Sequence, residues 1–438
     1  MIKEAVSARK ALNAVSLLWL GSLIGAGLAF ITQVVLAREL TPDGYGVFAA
    51  ALATVTLLAP LAGFGVQGFW LKVFGAEGWR ATRWLPGSFR FVALSTSGTL
   101  ILLAVWAALG PHDTLTAELL FWLLPVIAAY MFMELVSGRL LLEERFASLA
   151  FWQMFPHVAR LVLVLSLLLI LVNRPNLSLI ATIYGLVALS VIVAGCIYLR
   201  SMLGGGFRLK GHVGSVDSER RELRAEVSAI SMLDVASKTW PFGLATVFHL
   251  VYFQSDIVLL KYLAGNADAG VYNVAFTVMA AVYLLPSVIY QKVLLPKIHR
   301  WANHDRERFY RVYRQGNIAM LVLGGGAMVA IWGSAFWAIP LLFGEQYVEA
   351  VALLNILAVS APIVFVASSV GAVLVTQEHM VKKVKIMGGV AVLNVLLNIV
   401  LIPKYGAVGA AVTTVFSNLV LLVVYYMSAQ RSVFGFRY

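Results

Sequence analysis

The sequence predicts an all-α polytopic membrane protein of twelve transmembrane helices, six in each half of the chain. Three observations carry that prediction. First, apolar residues make up 61% of the 438 residues and charged residues only 12%, with a mean hydropathy of +0.87. A water-soluble domain carries about 45–50% apolar and about 25% charged residues, so lipid is the solvent that suits this composition. Second, the apolar residues fall in long continuous runs. Membrane helices of about 20 residues account for them, and the short alternating strands of a β-barrel do not. Third, one stretch occurs twice. Val35–Ala51 (VLARELTPDGYGVFAAA) and Val258–Ala275 (VLLKYLAGNADAGVYNVA) align through Arg38/Lys261, Leu40/Leu263, Gly46/Gly270, Val47/Val271 and Phe48/Tyr272, with one extra residue in the second loop. A repeat spaced by half a chain points to two similar halves.

Taken in order, the spans lie near 12–37, 45–71, 91–110, 118–138, 147–172 and 177–199, then 239–263, 270–295, 316–342, 348–376, 386–402 and 408–428. The basic N-terminus (MIKEAVSARK) opens a run longer than the roughly 7–15 apolar residues of a signal peptide, so the first run is expected to be a retained span. Turn-forming residues separate the spans at Thr41–Gly44, Gly110–Asp113, Asn173–Asn176, Gly265-Asn266, Gly344–Gln346 and Pro403–Gly406. These segments are too short to be domains. One long connection, about Arg200–Lys238, divides six spans from six. Within Ser218–Asp234, Leu223, Val227, Ile230 and Leu233 recur at helical spacing. That pattern fits an amphipathic helix on the membrane surface or a solvated linker helix. The expected organisation is residues 1–199 as a first lobe, 200–238 as a cytoplasmic linker and 239–438 as a second lobe.

Lysine and arginine set the orientation. With the N-terminus cytoplasmic, the inner segments hold 28 of the 33 basic residues. The outer loops hold Arg38, Arg174, Lys261 and Lys404, and Arg160 lies within a span. N-in/C-in is therefore expected. The net charge of +12 reads as a topology signal and an attraction to anionic lipid, not as a nucleic-acid footprint. The lone cysteine, Cys196, excludes an intramolecular disulfide and a multi-cysteine metal site.

A charge in mid-bilayer costs at least about 2.5–3.5 kcal/mol, so polar residues within spans mark interior faces. In the fifth span Gln153, His157 and Arg160 share one helix face. Arg160 offers five donors suited to a diphosphate or carboxylate. It reads equally as a structural partner of Glu134, Asp256 or helix carbonyls. In the seventh span His249, Tyr252 and Asp256 share a face. Asp256 fits a proton or cation site, a counter-ion for Arg160, or a hydrogen bond to a neighbouring helix. The repeat places Gln33 at the position of Asp256, so the first half keeps the polarity and loses the charge. Gly21, Gly25 and Ala29 form a small-residue stripe for helix packing. Asn394 and Asn398, four apart, read as interhelical glue, and Glu134 as a side chain near an inner helix end. No Walker A loop, HExxH, GxSxG or paired-carboxylate motif is present. The expectation is a transporter and not an enzyme, with no catalytic residues, cofactor or metal.

LARELTPDGYGVFA after the first span, FQSDIVLLKYLAGNADAGVYNVAF across the seventh and eighth, LLPSVIYQKVLLPKI closing the eighth, and LLNIVLIPKYGAVGAAVTTVFSN at the eleventh and twelfth resemble the Wzx-type oligosaccharide flippases of the multidrug/oligosaccharidyl-lipid/polysaccharide exporter superfamily. The resemblance runs over nearly the whole chain. It implies two six-helix lobes with pseudo-two-fold symmetry, working by alternating access. It also implies movement of undecaprenyl-diphosphate-linked oligosaccharide from the inner to the outer leaflet of the bacterial cytoplasmic membrane, for surface polysaccharide export. Partners would then be the lipid-linked oligosaccharide, membrane lipids, a polysaccharide polymerase and a chain-length regulator, and no nucleic acid. Under that reading Arg160, His157, Gln153, Gln33, Tyr252 and His249 line a substrate cavity. Asp256 couples an ion, and Arg38 and Lys261 anchor the outer ends of the lobes. A cation-coupled multidrug exporter is the alternative, disfavoured by the lack of a mid-span acid in the first three spans. A membrane polymerase or ligase would carry a large outer loop, which this sequence lacks.

Overall fold

The computed structural model describes residues 2–170, 176–202, 206–210, 230–287, 306–374 and 380–435. Most of the expected amphipathic helix, Arg174, Lys292 and the basic cluster from Lys297 as far as residue 305 lie outside those residues. Among the described residues every regular element is helical. In order they are α1 (Ile2–Glu39), α2 (Pro42–Leu58), α3 (Pro60–Gly63), α4 (Val66–Glu77), α5 (Leu85–Leu109), α6 (Thr114–Leu142), α7 (Phe146–Ile170), α8 (Leu177–Ser201), α9 (Met232–Leu263), α10 (Asn266–Ser287), α11 (Arg306–Phe343), α12 (Ala350–Ala358), α13 (Ser360–Val373) and α14 (Met380–Ala429).

The turn residues do what their chemistry dictates. The Thr41 hydroxyl accepts from Gly44 N–H at 3.2 Å as Pro42 opens α2. Asp113 caps α6 by accepting from Thr116 N–H at 3.3 Å, and Asn176 caps α8 by accepting from Ser178 N–H at 3.0 Å. Among the described residues nine helical runs are long and apolar enough to cross a membrane, or ten when α12 and α13, bent by 40°, count as one. Two of these runs, Pro42–Leu109 and Val381–Ala429, are 68 and 49 residues long, well beyond the roughly 20 residues of one crossing. Both are interrupted, the second at Gly406 (φ 54°, ψ −138°). Leu169, Leu109 and Phe336 stay 85%, 81% and 79% exposed. Large apolar surface of that kind is stable in lipid and not in water. The chain is a multi-pass membrane protein.

The span expected at 45–71 is not one helix. Phe64 (φ 36°) and Gly65 (φ 78°) take the left-handed conformation and break it between α3 and α4. An apolar run that contains glycine does not show whether the glycine packs a continuous helix or breaks one.

Packing gathers the chain into two compact units that interleave along the sequence. The first contains residues 1–25, 54–171 and 176–247, and the second residues 26–53, 172–175 and 248–438. In the first unit α8 approaches α6 through glycines: a Cβ on Gly185 would lie 2.6 Å from the Trp122 carbonyl, and one on Gly195 would lie 2.7 Å from Phe132. The predicted small-residue stripe of α1 packs on α7, with Gly21 against Ala150 and Gly25 against His157. At one end of this unit the start of the long connection is clamped down. Arg139 donates to Glu143 at 2.9 Å, to the Gly206 carbonyl at 3.1 Å and to the Tyr198 carbonyl. The Glu143 carboxylate also accepts from Arg208 N–H at 3.3 Å. Phe207 sits edge-on to Phe74 and Trp79. In the second unit α11 meets α13 where Gly324 faces Pro362.

Candidate functional site

The polar face of α7 lies in the first unit. Gln153, His157 and Arg160 are each partly buried on it. The Gly25 position of α1 leaves room for the His157 ring, whose Cδ2 lies 3.4 Å from where a Cβ would stand. The Arg160 guanidinium lies 4.7 Å from the centre of the Tyr184 ring on α8, a cation–π contact. Its Nε is buried without a hydrogen-bond partner. Among the described residues Arg160 forms no ion pair, with Glu134 or any other acid. A guanidinium held by an aromatic face keeps most of its fork of donors for an anion.

Asp256 lies in the second unit, 1% exposed, at the meeting of α9, α10 and both arms of α14. Tyr272 on α10 donates to Oδ2 at 2.7 Å, Asn398 Nδ2 donates to Oδ1 at 2.6 Å, and the Thr414 hydroxyl also donates to Oδ2. The network continues outward. Asn398 Nδ2 and the Ser255 hydroxyl both reach Asn394 Oδ1 at 3.2 Å, and Asn394 Nδ2 donates to the Ser417 hydroxyl at 3.4 Å. Tyr252, from the same face of α9 as Asp256, donates to Asn418 Oδ1. Asn398 Oδ1 is buried without a partner. His249 is exposed and turns its ring toward Phe253, 5.2 Å between centroids. The sequence therefore located Asp256 and the asparagine pair separately, and the structure joins them.

Tyr272 and Thr414 were missed. A signal for Tyr272 was present in the repeat. Where the second half replaces Gln33 by Asp256 it also replaces Phe48 by Tyr272, adding the hydroxyl that donates to the carboxylate. Thr414 had no such signal, because one hydroxyl in an apolar helix is unremarkable by itself.

The two copies of the repeat pack on each other within the second unit. A Cβ on Gly46 would collide with the Asn266 carbonyl, and one on Gly270 with the Pro42 carbonyl. Only glycine permits that approach of two helix starts. Beside the crossing, Asn273 Nδ2 donates to the Tyr45 hydroxyl at 2.8 Å, which donates to Gln33 Oε1 at 2.9 Å. Gln346 Nε2 donates to the Ala37 and Leu40 carbonyls at 3.2 and 3.1 Å. Burial holds the Tyr347 phenol above its ordinary pKa range, which keeps it a donor to the Leu40 carbonyl. Arg38 reaches the Leu341 carbonyl at 3.4 Å, and Lys261 closes α9 partly buried.

Comparisons with known proteins agree with this architecture. The succinoglycan biosynthesis transport protein ExoT of Rhizobium meliloti (strain 1021) is 27% identical over 341 residues, 76% of this chain and 63% of that protein. The chain thus spans somewhat under two thirds of that relative's length. Among solved structures, a lipid II flippase MurJ in an inward closed conformation superposes with a TM-score of 0.70 at 14% identity, covering 94% of this chain and 87% of that one. An inward-facing multidrug resistance MATE transporter superposes at 0.67 with 13% identity, covering 94% and 95%. These two show the fold and do not choose between cargoes. The sequence-family model described as "Polysaccharide biosynthesis protein" matches residues 11–301, and the chain belongs to that family.

Proposed function

We propose that the chain is a flippase that carries a polyprenyl-diphosphate-linked oligosaccharide from the inner to the outer leaflet of a bacterial cytoplasmic membrane. It would act by alternating access of two six-helix lobes, 1–199 and 239–438, joined by the linker 200–238, with both termini cytoplasmic. Family membership and the name of the ExoT relative support polysaccharide traffic, and the MurJ title supports a lipid-linked cargo on this fold. The observation that carries the reading is Arg160, a membrane-embedded guanidinium braced by Tyr184 with no carboxylate beside it. A diphosphate would complete its charge and its hydrogen bonds. Gln153 and His157 on the same face, with Gln33, Tyr252 and His249, would line the path of the polar headgroup while the prenyl tail stays in lipid. Export would hand the cargo to a polymerase and a chain-length regulator. The chain would catalyse no covalent step.

Asp256 is proposed as the ion-coupling residue. The carboxylate and the Thr414 and Tyr272 hydroxyls that donate to it are hard oxygen groups, and Asn398, whose Nδ2 meets the carboxylate, keeps a buried Oδ1 without a partner, a set suited to a proton or small cation. A cation-coupled multidrug exporter has the same fold and would use the same acid, so the cargo site decides between the two. Arg160→Ala is expected to abolish surface polysaccharide in cells lacking the native copy, while Arg160→Lys keeps part of it. Wild-type polysaccharide levels in the alanine variant would remove Arg160 from the cargo path.

A further inference from the structure

The break between α3 and α4 leaves a cavity, and the mechanism above does not use it. Its volume is about 20 Å³, space for about one water molecule or one dehydrated small ion. Its wall includes Gly63, Phe64, Gly65, Gln67, Tyr130 and Glu134, together with Thr246 of α9. All of these belong to the first unit. Glu134 forms no ion pair among the described residues. Tyr130, one helical turn away, is the other titratable group on the wall; α3, α4 and α9 contribute none.

Two features need a common explanation. A carboxylate eight residues inside the end of a membrane helix is costly unless something compensates it. A helix broken by two successive left-handed residues, one of them phenylalanine, is also costly. Broken helices persist within membranes where their backbone lines a cavity and holds a charged ligand. The interruption removes carbonyls from the α3 ladder. That of Ala62 is taken by Ser95 and Thr96 at 2.5 and 3.0 Å, and Gly63 and Phe64 face the cavity.

The wall residues that can offer oxygen are Glu134 with its carboxylate, Gln67 with its amide, Tyr130 and Thr246 with their hydroxyls, and the backbone; the Thr246 hydroxyl donates its proton to the Phe242 carbonyl at 3.2 Å and keeps its lone pairs. Together they carry one formal negative charge. That favours a small monovalent ion, which leaves the site neutral. Among the described residues no group of three His, Cys, Asp or Glu is placed to hold a metal ion.

We propose that Glu134 and the broken α3–α4 helix form a binding site for a single cation of the size and charge of Na⁺. The ion ties the inner half of α9 to the helices it packs on. Where Thr246 meets the cavity, the same stretch of α9 is in its tightest contact. A Cβ on Gly65 would collide with Gly243 N and lie 2.6 Å from Phe242 Cβ, and one on Gly243 would lie 2.7 Å from the Phe64 ring. Occupancy of the site therefore reports on whether this half of α9 is seated. The site is independent of Asp256, which lies in the other unit, and of what the protein carries.

The test is hydrogen–deuterium exchange on the full-length protein in detergent or nanodiscs. NaCl is titrated against choline chloride at constant ionic strength and fixed pH. Na⁺ is expected to slow exchange in peptides covering 60–68 and 240–247, in wild type and in Asp256→Asn alike. Glu134→Gln should abolish that protection. Gln67→Ala, which keeps the carboxylate, should raise the half-saturating Na⁺ concentration by about tenfold, and decides the matter if Glu134→Gln does not fold. Four results would overturn the site: no protection in wild type, protection surviving Glu134→Gln, protection lost in Asp256→Asn, or protection that follows pH and ignores Na⁺.

Discussion

At the scale of single residues, the side chains that matter are those whose cost in lipid is met by named neighbours. Asp256 is met by three donors from two other helices. Arg160 is met by the Tyr184 ring, with its Nε left over. Asp256→Asn keeps the shape and one acceptor, and removes the charge and the second acceptor that Tyr272 and Thr414 use. In reconstituted vesicles that variant should lose transport by at least about tenfold, equivalent to about 1.4 kcal/mol, and should lose its dependence on the coupling ion. Unchanged pH and Na⁺ dependence would dismiss Asp256 as the coupling residue. Tyr272→Phe restores the residue that the first half carries at this position, and separates packing from chemistry. It should lower unfolding stability by about 1–3 kcal/mol through the lost hydrogen bond while leaving the ion dependence in place. Asp256 was legible in the sequence because one charge in an apolar helix stands out. Asn398 was legible as interhelical glue but not as the partner of Asp256, because hydropathy marks where helices are and not which helices touch. Tyr272 left a signal, a departure in the repeat, that went unread.

At the scale of elements, the repeated segment shows what periodicity reveals and what it hides. Alignment paired Gly46 with Gly270 as equivalents. Their contact with each other's helix starts is a tertiary fact that no spacing encodes. The same limit hid the α3–α4 break, where Gly65 read as one more small residue in an apolar run. Glycine positions now divide by what a Cβ would meet. At Gly46 and Gly270 it would enter backbone, whereas at Gly27 of α1 it meets nothing within 4 Å. Gly46→Val and Gly270→Val should each destabilise the protein by about 1–3 kcal/mol, the usual cost of overpacking, and Gly27→Val should stay within about 0.5 kcal/mol. Thermal unfolding of the purified variants reads this directly. Equal effects at Gly27 and Gly46 would mean that the crossing is not a constrained contact.

At the scale of the whole molecule, each unit gathers one set of its own connections. In the first unit the connections after α4, after α6 and after α8 meet: Phe207 lies against Phe74 and Trp79, and Arg139 with Glu143 binds the chain near Gly206 and Arg208. In the second unit the turns near Pro42, Asn266, Gln346 and Gly406 meet, with Asp268 Oδ1 accepting from Ala407 N–H at 3.0 Å. Connections that alternate between two ends are what repeated crossing requires. Twelve crossings follow if Pro42–Leu109 and Val381–Ala429 each cross twice and the bent α12–α13 pair crosses once. Grouping alone leaves open which end faces the cytoplasm. We propose that the first group faces the cytoplasm, because its connections and the adjoining helix ends carry Lys72, Arg80, Arg83, Arg139, Arg145, Arg200, Arg208 and Lys210, and lysine and arginine concentrate on the cytoplasmic side. A phosphatase–fluorescent protein pair fused after Lys210 should therefore report cytoplasm, and after Gly110 periplasm. The reverse pattern would keep every helix where it is and invert the transport direction proposed for the whole molecule.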